Sequence, residues 1–243
     1  MKLTLVKKQN ETQDAKSFFF EPDKKVKYAP GQYFYITLPT LLYPDNRGAT
    51  RHFTLSSSPT DGKTLRITTK IRQESGFKRS LDELKIGSTV EGKGPNGIFF
   101  LDREMTRPQM FIAGGIGITP FRSIIKFATD KEFSTPIYLV YANSTPEEII
   151  FRNDIENWEQ KNSNLKVKIT ITQPEAGQEK WRGLKGRIDQ VLLSKLITDW
   201  QLKISAVTFW LVGPPQMVDA VEHVLTLMKV SSDAIKIEKF TGY

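Results

Sequence analysis

Three short stretches carry residue types suited to holding phosphate. Gly114-Gly115-Ile116-Gly117-Ile118-Thr119-Pro120 follows the apolar run Met110–Ala113 and precedes a helical pattern through Phe121–Thr129. Glycines at such a junction let the backbone turn tightly and approach a ligand. The free N–H groups and dipole at the start of the helix favour an anion such as a pyrophosphate. Thr119 is expected to cap that helix, and Pro120 suits its first turn. Counted from Gly115 the spacing is G-x-G-x-x-P, which taken alone also fits a plain tight βα turn. Gly213-Pro214-Pro215-Gln216-Met217 follows the apolar run Thr208–Val212 and opens another helix. Arg51-His52-Phe53-Thr54 sets a guanidinium, an aromatic ring and a hydroxyl at the end of an extended segment. A guanidinium fork matches paired phosphate oxygens. On a strand His52 points to the face opposite Arg51, which favours packing or a surface position over chemistry. Ser56, Ser57 and Ser58 are expected to end the strand before Pro59.

The composition removes several other chemistries. The chain has 243 residues and no cysteine, so disulfides, thiol catalysis, thiolate zinc sites and cysteine-bound iron–sulfur clusters are excluded within it. The two histidines, His52 and His223, do not suffice for a His-rich metal site, and no metal is expected. Redox or acid–base chemistry is therefore expected to come from a bound organic cofactor.

The elements that must position these stretches fall into two rhythms. Up to about residue 104, short segments rich in β-branched and aromatic residues (MKLTLVKK, SFFFEP, GQYFYITLP, RHFTLSS, TLRITTKIR, STVEGKGP) are divided by turn signals at Ala29-Pro30-Gly31, Asp61-Gly62 and Pro95-Asn96-Gly97. Such spacing predicts an antiparallel β-barrel or sandwich. One short helix, Phe77–Leu84, interrupts it between Gly76 and Gly87. Beyond the boundary, strands alternate with helices. Strands are expected at 110–113, 136–142, 165–172, 208–212 and 234–240, and helices at 121–129, 146–160, near 190–195 and at 216–229. Alternation of this kind predicts an α/β domain with an open parallel sheet. The expected organisation is two domains, 1–104 and 105–243, with a linker near Arg103–Pro108. Both glycine loops would then lie at the carboxyl edge of the sheet, suiting the two ends of a dinucleotide.

Taken in order, Arg51-His52-Phe53-Thr54, Gly114 to Pro120, Gly213 to Met217 and the tail Glu238-Lys239-Phe240-Thr241-Gly242-Tyr243 resemble the ferredoxin–NADP reductase superfamily over nearly the whole chain. The resemblance implies an FAD-binding N-terminal barrel and a C-terminal NADP- or NAD-binding domain, with hydride transfer between nicotinamide and flavin N5. By position, Arg51 would grip the FAD pyrophosphate, with His52 beside it in the motif. Phe53 would pack on the flavin, where the family usually has tyrosine. Thr54 would set its hydroxyl near N5, where serine is commoner. Gly76, Phe77, Lys78, Arg79 and Ser80 would form a second pyrophosphate site, one residue longer than the usual Gly-x-x-Ser. Lys70 would face cofactor phosphates. Gly114, Gly115, Gly117, Thr119, Pro120, Gly213, Pro214, Pro215 and Met217 would hold the nicotinamide dinucleotide. Val212 stands where the family often has cysteine. Glu238 would hold or relay a proton, and Phe240 or Tyr243 would cover the flavin. After strand 136–142, Asn143 and Ser144 bring no carboxylate for a ribose hydroxyl, whereas Ser144, Lys185 and Arg187 would meet a 2′-phosphate.

The charge bears on partners. Eighteen basic against twelve acidic side chains lie in residues 1–104, and seventeen against fifteen in the rest. The surplus in the first part serves solubility or an acidic partner. The basic residues are scattered without interleaved aromatics, so nucleic acid is not expected. A separate acceptor, an acidic redox protein such as a ferredoxin or flavodoxin, is expected. The alternatives are small acceptors (ferric chelates, free flavin, haem) and a flavin-binding regulatory module without turnover. No apolar run is long enough to insert in a membrane and no leader is visible, so a cytoplasmic location is expected.

Overall fold

The structure, a computed structural model, describes residues 1–101 and 106–241. The expected linker Arg103–Pro108 falls partly, and Tyr243 wholly, outside them. The described chain divides into two compact units. One is Met1–Leu101 with Thr119–Asp130, and the other contains the remaining described residues.

In the first unit alternating inward residues build six strands: β1 (Lys2–Asn10), β2 (Ala15–Pro22), β3 (Tyr33–Thr37), β4 (Thr50–Thr54), β5 (Leu65–Lys70) and β6 (Thr89–Asn96). They pair antiparallel in the order β4-β3-β6-β1-β2-β5. Leu3 and Leu5 of β1, Phe18 and Phe20 of β2, Phe34 and Ile36 of β3 and Ile67 of β5 meet in one apolar core. The edge strands touch at a bridge between Leu55 and Ile67, reinforced by the Ser56 N–H on the Arg66 carbonyl at 2.8 Å. This curls the sheet into a barrel. Helix α1 (Gly76–Glu83) drives Phe77 and Leu81 into the same core.

The barrel unit also takes in most of helix α2 (Ile118–Asp130). A 3₁₀ turn, Gly115–Gly117, winds directly into that helix, so Thr119 lies inside its first turn and is not the expected cap. Pro120 also sits in the first turn, where its missing N–H leaves no helical bond unmade.

The second unit is a six-stranded sheet of β7 (Gln109–Gly114), β8 (Ile137–Asn143), β9 (Leu165–Ile171), β10 (Leu184–Lys185), β11 (Thr208–Gly213) and β12 (Ile235–Lys239). Every pairing is parallel, in the order β10-β9-β8-β7-β11-β12. Every residue of β7 is buried, as a strand inside a parallel sheet requires. Helices α3 (Arg152–Lys161), α4 (Gln190–Asp199) and α5 (Pro215–Leu227) belong to this unit. The expected helix 146–160 is broken into a 3₁₀ turn, Pro146–Glu148, and α3. Between them Ile149, Ile150 and Phe151 are buried, and Phe151 takes a left-handed conformation with φ 62°. Burying three consecutive apolar residues is incompatible with one continuous amphipathic helix.

The strand order reverses at β7, which has β8 on one side and β11 on the other. The loops after β7 and β11 are the two glycine loops, so both leave the carboxyl ends of adjacent strands. Open α/β sheets place ligands at such switch points.

Candidate functional site

In the barrel unit a basic cluster gathers where β4 meets α1. Arg51 of β4 donates through Nη1 to the carbonyls of Arg47 (2.8 Å), Gly48 (2.9 Å) and Thr50 (2.7 Å). Through Nη2 it pairs with Asp45. Its guanidinium carbon lies 5.3 Å from the centre of the Phe77 ring. Lys78 is buried in the first turn of α1. Burial above all, then the charges of Arg72, Arg47 and Arg51, pull its ammonium down to about 8. Arg72 has a buried Nε with no hydrogen-bond partner. Buried Lys78 and the unmet Nε of Arg72 lie among like charges that Asp45 only partly offsets, a poor arrangement by itself and a good one for a polyanion. The residues present therefore fit a pyrophosphate.

The other residues expected at the flavin divide. Thr54 is buried one strand position beyond Phe53. Phe53 is only 4 % exposed and packs 5.8 Å from the Phe77 ring in the barrel core, so its ring supports α1. Ser80 also turns inward. Its hydroxyl donates to the Gly76 carbonyl at 2.6 Å and accepts from the Leu42 N–H at 2.9 Å. Gly76 itself allows a close approach, since a Cβ there would stand 2.2 Å from the Pro44 carbonyl oxygen. Arg79 lies 3.5 Å over the Tyr43 ring. Lys70 pairs with Asp14 at 2.9 Å. His52 is exposed on the face opposite Arg51, with ring centres 5.4 Å from Tyr33 and 6.0 Å from Tyr35. Asp45, Arg47 and Arg72 escaped the sequence reading. Asp45 and Arg47 lie within six residues of Arg51 in a loop, where no periodicity marks them.

In the parallel-sheet unit the two glycine loops interlock. A Cβ at Gly117 would meet the Val212 carbonyl oxygen at 2.3 Å, and one at Gly114 would meet Met217 Sδ at 2.3 Å. Gly115 sits at φ 51° with nothing within 4 Å of where its Cβ would point, so the turn bulges into open space. Tyr141 of β8, which the sequence reading also missed, donates its hydroxyl to the Gly115 carbonyl at 2.9 Å and fixes the loop from below. Pro214 and Pro215 begin α5 and leave its first turn rigid. At the end of β8, Asn143 is 5 % exposed and both atoms of its side-chain amide lack partners. The loop after β9 is tied to this point by the Thr172 N–H on the Asn143 carbonyl (3.0 Å) and the Gln173 N–H on that of Ser144 (2.8 Å). A left-handed glycine turn facing open space and a buried unmet amide on the same sheet edge fit a dinucleotide.

The tail is tied to the same edge. Glu238 of β12 lies in register with Val212 of β11. Its Oε2 is buried without a partner, and burial lifts its carboxyl to about 7. The Phe240 N–H donates to the Gly213 carbonyl at 3.0 Å, and its side chain is buried. Lys185 is exposed on the short edge strand β10, 3.5 Å from Glu175, and Arg187 is exposed two residues on. Among the described residues no helix is long and apolar enough to cross a membrane.

Comparison with known proteins agrees with this division. The family described as Oxidoreductase FAD-binding domain matches residues 2–101, and Oxidoreductase NAD-binding domain matches residues 111–223. The chain is 28 % identical over 223 residues to the glycine betaine monooxygenase reductase subunit of Chromohalobacter salexigens, covering 90 % of this chain and 58 % of that protein. It thus spans little more than half the length of that relative. In fold it is similar to the flavohem-like FAD/NAD binding domain of nitric oxide dioxygenase from Vibrio cholerae O1 biovar El Tor, with a TM-score of 0.83, 24 % identity and 98 % of both chains covered. It is also similar to a ferredoxin NADP+ reductase from Neisseria gonorrhoeae with bound FAD and NADP, with a TM-score of 0.80, 18 % identity and 98 % of both chains covered. The barrel thus matches the oxidoreductase FAD-binding domain family and the parallel sheet the oxidoreductase NAD-binding domain family, in the two-domain fold that these solved structures share.

Proposed function

We propose that this chain is an NAD(P)H-dependent flavoprotein reductase that passes electrons to a separate acceptor. The observation that carries the reading is the pairing, in one chain, of a basic cluster around Arg51 and buried Lys78 with two interlocked glycine loops on the carboxyl edge of a parallel sheet. When bound, FAD supplies a ring that exchanges a hydride with nicotinamide and releases electrons onward.

The chain's own residues bind, orient and manage charge. Arg51, with Arg47, Arg72 and Lys78, offsets the charge of the flavin pyrophosphate. Thr54 offers its hydroxyl at the reacting edge of the flavin. Gly114, Gly115 and Gly117 let the main chain approach the nicotinamide dinucleotide, with the start of α2 facing its phosphates. Glu238, lifted to about 7, is poised between its protonated and ionised forms at neutral pH and can take up or release a proton as charge changes nearby. Ser144, Lys185 and Arg187 favour a 2′-phosphate, hence NADP over NAD.

For the acceptor we favour an acidic redox protein. Lys24, Lys25, Lys27 and Lys63, against Glu21 and Asp23, line one surface cleft of the barrel unit, and most of the basic surplus of the chain lies in its first 104 residues. The relative from Chromohalobacter salexigens is named a reductase subunit, which fits delivery to a separate protein. The test is oxidation of NADPH and NADH with an acidic ferredoxin, a flavodoxin, a ferric chelate, free flavin and a neutral quinone as acceptors, at rising salt. The reading predicts fastest transfer to an acidic protein, slowing with salt, with quinone reduction unaffected. Equal salt sensitivity for all acceptors removes the acidic carrier, and turnover with small acceptors alone makes the protein a small-molecule reductase.

A further inference from the structure

We propose that Asp45 is a positioning residue that locks the Arg51 guanidinium to the first turn of α1, holding both sides of the pyrophosphate site in one register. The inference rests on the FAD reading above.

The two carboxylate oxygens divide the work. Oδ1 accepts from Arg51 Nη2 and from the Arg47 N–H at 3.0 Å. Oδ2 accepts from the Phe77 N–H at 2.9 Å and the Ser75 hydroxyl at 3.2 Å. One side chain thus ties β4, its preceding loop and α1 together. The pair is well removed from water, with the Asp45 and Arg51 side chains 7 % and 10 % exposed. Burial pushes the Asp45 carboxyl up, but the N–H groups of Phe77 and Arg47 and the charge of Arg51 outweigh it and hold it below the usual carboxylate range.

The loop that carries Asp45 is itself fastened to α1. The Leu42 N–H donates to the Ser80 hydroxyl, Arg79 stacks over Tyr43, and the Pro44 carbonyl fits against Gly76. Asp45 therefore has a fixed base from which to hold Arg51. The Phe77 N–H is engaged by Asp45 and the Lys78 N–H by the Ser75 hydroxyl at 3.2 Å. First-turn N–H groups that would otherwise serve an anion are thus already bonded within the chain, and charge compensation falls to the basic side chains. Arg51 can contribute to that only if its planar fork is held at a fixed angle. Asp45 supplies that restraint and moderates the repulsion among Arg47, Arg51, Arg72 and Lys78.

A carboxylate on an arginine and a helix start can also act as a stand-in anion that a phosphate must displace. The two roles have opposite signatures: losing a strut weakens FAD binding, and losing a competitor tightens it. The experiment measures FAD and riboflavin affinity by fluorescence titration for the unaltered protein, Asp45→Asn, Arg51→Met and the double variant. Riboflavin has no pyrophosphate, so a merely structural injury moves both ligands together. We expect Asp45→Asn to weaken FAD binding about 10- to 100-fold, to leave riboflavin within about twofold, and to cost nothing further in the Arg51→Met background. An unchanged or tightened FAD affinity, an equal loss for both ligands, or an additive double variant overturns the proposal. Where riboflavin binds too weakly to titrate, the double-variant coupling alone decides. If Asp45→Asn does not fold, Asp45→Glu, which keeps the charge and shifts its register, replaces it with the same expectations. Failure of the unaltered protein to bind FAD instead overturns the flavin reading itself.

Discussion

Arg122 of α2 donates through Nη1 to the main-chain carbonyl of Ser56 at 2.6 Å, and both residues are buried. The same guanidinium reaches Asp61 at 3.2 Å, and the neighbouring Ser123 hydroxyl donates to the Ser57 carbonyl at 2.6 Å. Lys126 adds Asp61 at 3.5 Å. The segment two to seven residues beyond Thr54 is thereby clamped onto α2 through its carbonyls. Its three serines are each engaged as well. The Ser56 hydroxyl bonds that of Thr68 at 2.8 Å, Ser57 that of Tyr28 at 2.9 Å and Ser58 that of Thr60 at 2.7 Å.

Arg122→Met should therefore destabilise the protein by about 1–3 kcal/mol, because it strands a buried carbonyl without a donor. Ser123→Ala should cost about 1 kcal/mol. Urea denaturation checks both, and a loss below about 0.5 kcal/mol for Arg122→Met contradicts the clamp.

Lys78 makes FAD affinity depend on pH. Its folded value of about 8 lies below the ordinary 10.5, and an adjacent phosphate favours the charged form. Affinity should hold up to about pH 8 and fall above it as the ammonium loses its proton. Lys78→Met should bind more weakly and flatten that dependence. Linkage in the free protein has the opposite sense, because between about 8 and 10.5 the unfolded chain binds more protons and folding stability gains with pH. Titrations at pH 7 and 9.5 that agree for the unaltered protein would remove Lys78 from the site.

The glycine loops give an internal contrast. Gly117→Ala drives a Cβ into the Val212 carbonyl, so the two loops must separate. We expect NADPH and NADH affinity to fall tenfold or more, about 1.4 kcal/mol, with FAD binding unchanged. Gly115→Ala meets open space and pays only the left-handed strain of about 1–2 kcal/mol. Its loss should appear in stability more than in affinity. Calorimetric titration separates the two, and equal affinity losses contradict the interlock.

Much of this was legible beforehand. Short segments rich in β-branched and aromatic residues between turn signals marked β1 to β6, and the apolar runs ending in Gly114 and Gly213 marked β7 and β11 with their loops. Patterns fail where a residue's role depends on distant chain. Motif position says nothing of what packs on Phe53, because Phe77, its ring partner, comes from an element twenty-four residues away. Thr119 reads as a cap only if the helix starts after it, and a 3₁₀ turn moves the start. Asp45 is a polar loop residue like many others until β4 and α1 converge on it. Ser56 and Ser57 read as a turn because their partners on α2, β5 and the β2–β3 connection leave no local periodicity, whereas Ser58 does turn, held by Thr60 and Asp61.

Glu238 links the tail to pH. Burial raises its folded value to about 7 from an ordinary 4.5, so the folded state binds more protons between those values. Stability is fully present below about 4.5 and is lost as pH rises through 7, by up to about 3 kcal/mol. Glu238→Gln should lack this decline and melt above the unaltered protein at pH 8. Melting curves of the two that run parallel from pH 4.5 to 8 contradict a buried, unpaired carboxyl.

On the proposed function, a reduced nicotinamide nucleotide reduces a flavin held by this chain. The direct measurement is flavin absorbance of the FAD-loaded protein, without oxygen, after stoichiometric NADPH or NADH. Rapid bleaching is expected, faster with NADPH, with return of the band when an electron acceptor is added. A flavin band that survives both nucleotides, in protein shown to bind FAD, contradicts it and leaves a flavin-binding protein without reductase activity.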